Sequence, residues 1–116
     1  MMKLALSALA ALALSACAHT EAPSAAAARG DIAAGQHLAE INCSACHAIG
    51  AEGESRHAAA APFRTLSENY PINALEEAFA EGVLVGHRDM PEFTLEPAEI
   101  DDLLAYIQSV QERRGG

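Results

Sequence analysis

A chain of 116 residues makes one small domain at most. Its residues are 51% hydrophobic, yet only 4% are aromatic and 27 are alanine, so the apolar area available for burial is small and something other than large side chains must fill the middle. Sixteen acids against seven bases give a formal charge of −9, which disfavours nucleic-acid binding, and the length excludes polytopic membrane folds.

Residues 1–16 carry one Lys, then an apolar run too short to span a bilayer comfortably, then small residues, the pattern of a secretory signal peptide. Leu14-Ser15-Ala16-Cys17 also resembles the lipobox of bacterial lipoproteins, in which processing leaves the Cys as a lipidated amino terminus. The other reading is plain cleavage at Ala16-Cys17-Ala18, which would release a soluble periplasmic protein. The lipidated form is the expectation, because a Cys at the foot of the apolar run needs explaining. A chain beginning at Cys17 keeps six Arg and 16 acids and no Lys, a charge of 6 − 16 = −10, and Met90 becomes its only Met.

Residues 17–30, the lipidated Cys followed by small and polar residues, read as a flexible tether with an extended reach of about 45 Å. The folded domain is then residues 31–116. Its first helix runs from Asp31, a plausible cap, to about Cys43, with Ile32, Gly35, Leu38 and Ala39 on one side. A short turn at Leu66–Tyr70 precedes a second helix from about Pro71 to Glu81, with Leu75, Ala78 and Phe79 at helical spacing and Gly82 as a stop. The third helix opens near Pro97 and carries the apolar stripe Ile100, Leu103, Leu104, Ile107 and Val110, with Arg113 and Arg114 in its last turn. No alternating strand is visible, so the class is all-α.

Cys43-Ser44-Ala45-Cys46-His47 is C-x-x-C-H, the attachment pattern of c-type haem. In a helical turn residues three and four apart share a face, so both thiols reach one porphyrin edge and the imidazole falls beneath the iron. Two rival readings use the same residues. A thioredoxin-like pair would follow a strand and open a helix, whereas this one follows a helix. A zinc site would join Cys43, Cys46 and His47 to another His. Covalent haem also accounts for the odd cysteine count, since two thiols become thioethers and Cys17 is lipidated or cleaved away.

The first helix with Gly35 and Leu38, the Cys43-to-His47 motif, the segment Met90-Pro91-Glu92-Phe93 and the final Asp102-Leu103-Leu104-Ala105-Tyr106-Ile107 together resemble a small bacterial class I cytochrome c over about residues 31–113. The resemblance implies three main helices around one covalently bound haem c, with His47 and Met90 as the axial ligands. It also implies a crossing of the first and last helices at Gly35, Leu103 and Tyr106. By the same resemblance Pro62 supplies a carbonyl that orients the His47 ring, and Arg64 and Tyr70 are candidates to bind the haem propionates. His87 is the competing sixth ligand; His19, His37 and His57 read as solvated.

Three departures from the family pattern stand out. Ala39 occupies a position that is usually aromatic in the helix crossing. Glu96 sits where a Ser or Thr cap is expected before Pro97, unless Thr94 takes that role. The Lys ring by which mitochondrial relatives dock is missing, so the partner surface must differ.

The expectation is therefore a monomeric electron-transfer protein of the periplasm, held to a bacterial membrane at Cys17. It would dock with redox partners that carry basic patches, with no small-molecule substrate and no nucleic acid. Filled axial positions argue for a carrier and not an enzyme. The alternatives are a cytochrome subunit of a periplasmic dehydrogenase or oxidase complex, and a haem sensor or peroxidase-like protein in which Met90 dissociates.

Overall fold

A computed structural model describes residues 24–82 and 88–114. In chain order the elements are α1 (Ala25–Arg29), α2 (Ile32–Asn42), a 3-10 turn (Phe63–Thr65), α3 (Leu66–Asn69), α4 (Ile72–Glu81) and α5 (Pro97–Arg114). Among the described residues there is no strand, and the class is all-α as expected.

The long α5 is the axis of the fold, and α1, α2, α4 and the 3-10 turn all pack on it. Its stripe of Ile100, Leu103, Leu104, Ile107 and Val110 is buried, because apolar residues three and four apart form one continuous face. At its start, the side chain of Glu99 accepts a hydrogen bond from the Glu96 amide at 2.8 Å. That is half of a capping box, in which the third helical residue reaches back to the amide of the cap residue.

Asp31 caps α2 by accepting from the Ala34 amide at 2.9 Å, while its own amide donates to the Asp102 carboxylate at 2.7 Å. The two helices cross so closely that a Cβ built on Gly35 would overlap the main-chain oxygen of Asp102 and lie 2.9 Å from the Tyr106 Cβ. Only a residue without a side chain permits that approach. Ala39, one turn on, is fully buried, and a small side chain there suits the short distance between the helices. Leu38 is half-buried, whereas Ile32 is 49% exposed at the first position of α2, which corrects its expected place on the inner side.

The flexible tether is corrected in the part of it that the structure describes. Ser24 caps α1 by accepting from the Ala27 amide at 3.1 Å. Ala26 and Ala27 are buried, and Arg29 forms a two-pronged pair with Asp101 at 2.9 and 3.0 Å. Glu76 of α4 lies 3.8 Å from the same guanidinium. Five residues of alanine and arginine form a helix here because α5 packs on it, burying Ala26 and Ala27, and supplies a carboxylate for the cation at the helix end. The folded unit therefore begins before Asp31.

Candidate haem-binding site

The turn carrying the motif continues directly from α2. Amides of Cys46 and His47 donate to the Cys43 carbonyl at 3.1 and 2.9 Å, which keeps the two thiols and the imidazole on a single helical turn. Cys43 is buried and Cys46 half-buried. Burial pushes the Cys43 thiol up to about 11, so it is the opposite of a redox-active thiol, whose surroundings favour the thiolate. The pair follows α2 and not a strand, which argues against the thioredoxin-like reading. Among the described residues no three of His, Cys, Asp or Glu are grouped so as to hold a metal ion by themselves.

A cavity of about 540 Å³ opens beside this turn, within the roughly 300–1,000 Å³ range of cofactor sites. Cys43 and His47 form part of its wall, and Met90 and Phe93 enter from the segment before α5. Phe63, Leu66, Leu75 and Phe79 supply apolar surface, and Tyr70 stands at the border, 47% exposed. An adjoining groove of about 100 Å³ is lined by Cys46, His47, Met90 and Pro91. Two cysteines, an imidazole and a thioether thus converge on the cleft and its adjoining groove. That donor set fits a porphyrin held through its vinyl edge, with a nitrogen and a sulfur ligand for its iron.

The His47 ring is oriented by the main chain. Its Nδ1 lies 2.7 Å from the Ala61 carbonyl, and since a carbonyl can only accept, Nδ1 carries the proton and Nε2 the lone pair that an iron would use. The expected acceptor, Pro62, is therefore corrected by one residue. The Pro62 carbonyl closes the 3-10 turn instead, accepting from the Thr65 amide and the Thr65 hydroxyl, each at 3.0 Å. Phe63 packs its ring against His47 at 5.6 Å and a 57° tilt, fixing the imidazole from a second side.

Arg64 is not among the residues lining the cleft; its guanidinium donates to the Gly53 carbonyl at 2.7 Å and approaches Glu54 at 4.0 Å, bracing the loop after the motif. Tyr70 borders the cleft. His37 is exposed, but His57 is not simply solvated. It joins Asp89, the residue before Met90, at 3.0 Å. Sequence reasoning missed this pair, and also the bond from the Tyr106 hydroxyl to the Ile49 carbonyl at 3.0 Å, which ties α5 to the loop after the motif. Cys17, His19 and the alternative ligand His87 lie outside the described residues.

An all-α domain with Cys43 and His47 on the wall of an apolar cleft, and Cys46 in the groove beside it, has the form of a haem-binding protein. The chain belongs to the cytochrome c family, whose model matches residues 32–111. That match begins after α1, which is an addition to the matched region. No curated protein and no solved structure matches the chain.

Proposed function

We propose that this chain is a periplasmic electron carrier with one covalent haem c, joined through Cys43 and Cys46 and ligated by His47 and Met90. The supporting observation is that Cys43, His47 and Met90, the only thioether of the processed chain, border the same apolar cleft, with Cys46 in the adjoining groove. When bound, the group supplies one-electron exchange between Fe(III) and Fe(II).

The residues of this chain set the conditions for that exchange. A neutral, soft thioether and apolar walls favour the less charged Fe(II) site and raise the potential, while the acidic surface lowers it somewhat. The Ala61 carbonyl makes the imidazole a better donor. Tyr70, at the border of the cleft, is the residue proposed to meet a propionate. With both axial positions filled by protein, the chain acts as a carrier and not as an enzyme.

Residues 1–16 direct export in this reading, and a lipidated Cys17 keeps the protein at a bacterial membrane. An acidic surface without Lys steers it toward basic patches on its redox partners, so exchange rates fall as salt rises.

The test is an absorption spectrum of the holoprotein in both oxidation states beside Met90→Ala. The oxidised wild type should show the weak far-red charge-transfer band of thioether-ligated Fe(III), and the variant should lose it and bind carbon monoxide when reduced. Retention of the band in the variant overturns the Met90 assignment.

A further inference from the structure

We propose that His57 is a positioning residue that keeps Met90 in the cleft by tying the segment before it to the motif turn. The proposal rests on the His47 and Met90 ligation proposed above. His57 is anchored at its main chain: its amide donates to the Cys46 carbonyl at 3.1 Å, and its carbonyl accepts from the Ala60 amide at 3.0 Å. It therefore belongs mechanically to the turn that carries Cys43, Cys46 and His47.

The ring is preset as well. Nδ1 accepts from the Ala59 amide at 3.1 Å, and a ring nitrogen that accepts bears no proton, so Nε2 bears one. Nε2 then donates to the Asp89 carboxylate at 3.0 Å, across 32 residues of sequence. Asp89 is joined to Met90 by a single peptide bond. One side chain thus connects the two stretches of backbone that carry the proposed axial ligands, and a neutral imidazole is sufficient for the bond.

Such a connection matters because residues 90–96 have no helix of their own to hold Met90. The fraction of molecules with Met90 withdrawn depends on how firmly its segment is held. Side-chain exposure of 32% for His57 and 66% for Asp89 keeps the expected effect modest.

Imidazole binding to the ferric holoprotein measures this fraction, since an added ligand reaches the iron only when Met90 is away and its apparent affinity scales with the open population. His57→Ala should tighten apparent imidazole binding about three-fold. His57→Gln, whose amide can still donate toward Asp89, should restore part of the wild-type value. Asp89→Ala should match His57→Ala, and the double variant should do no more than either alone.

Unchanged imidazole affinity in His57→Ala, or effects that multiply in the double variant, would overturn the proposal. If His57→Ala yields no holoprotein, Asp89→Ala decides, because it leaves the main-chain bonds of His57 intact: tighter imidazole binding supports the role and an unchanged affinity overturns it. The far-red band keeps the two ideas apart. Its loss in Met90→Ala with no imidazole effect in the His57 and Asp89 variants overturns only the positioning role, whereas its persistence in Met90→Ala overturns the ligation beneath it.

Discussion

At the crossing of α2 and α5 the protein touches itself main chain to side chain position, with no room for one carbon at Gly35. A short distance away, at the cleft, it stands back from itself around about 540 Å³. The crossing is built by periodic apolar residues on long helices, with Leu104, Ile107 and Val110 fully buried beneath it. The cleft is bordered by α3, α4 and the 3-10 turn on one part and by loops on the rest, and the loops are held by hydrogen bonds to main-chain oxygens of Cys46, Ile49 and Ala61. The first region sets how stable the molecule is, and the second sets how its motif residues are aimed. Substitutions in the two should therefore report on different observables.

The largest expected effect belongs to the crossing. Gly35→Ala forces the main chains of α2 and α5 apart and should cost about 3 kcal/mol or more in urea unfolding of the holoprotein followed by helix circular dichroism. A loss under about 1 kcal/mol would mean that the crossing accommodates a methyl group and that the contrast with the cleft is overstated.

Tyr106 belongs to both regions, with its Cβ at the crossing and its hydroxyl on the Ile49 carbonyl. Tyr106→Phe should cost about 1 kcal/mol for the lost bond. Burial pushes the Tyr106 phenol above its ordinary value, an effect that Arg113 opposes and Glu40 reinforces. The folded state thus favours the neutral phenol. That contribution is complete below the unfolded value of about 10 and is lost as pH rises through the raised folded value. The stability gap between wild type and Tyr106→Phe should accordingly narrow above about pH 10 in paired unfolding curves. A gap that stays constant to higher pH would detach the phenol from the bond to Ile49.

Arg29→Ala has the smallest expected effect. The pair with Asp101 is exposed, so the global unfolding midpoint should hardly move, while amide exchange at Ala27 and Ala28 quickens and exchange at Leu104 and Ile107 stays as it was. Faster exchange along α5 as well would show that α1 is part of the stability of the crossing and not an attachment to it.

The same contrast governs what could be read from the sequence. The α5 stripe, the Asp31 cap and the α4 spacing carry their own periodicity or cap chemistry, and each stands where it was expected. Cys43, Cys46, His47 and Met90 were legible as residue types in a pattern, and the fold brings them to one cleft and its adjoining groove. The acceptor for His47 was misjudged because a main-chain oxygen has no letter in the sequence: Ala61 provides it from an unremarkable alanine. His57 gave no sign either, since its partner lies 32 residues away and a lone His in a polar loop reads as solvated. Helix α1 was hidden by its own uniformity. A run of alanines presents the same surface all round, so its buried side is chosen by α5 and not by any pattern within it.

Docking α1 onto α5 has a consequence for encounter statistics. For a protein anchored at Cys17 as proposed, the folded unit begins at Ser24 and not at Asp31, which halves the greatest separation the intervening chain could span, from about 45 Å to about 23 Å. The hemisphere swept by the domain shrinks with the cube of that radius, to about one eighth. A redox partner in the same membrane would then meet the haem at roughly eight times the effective concentration, and a partner standing farther off would be out of reach.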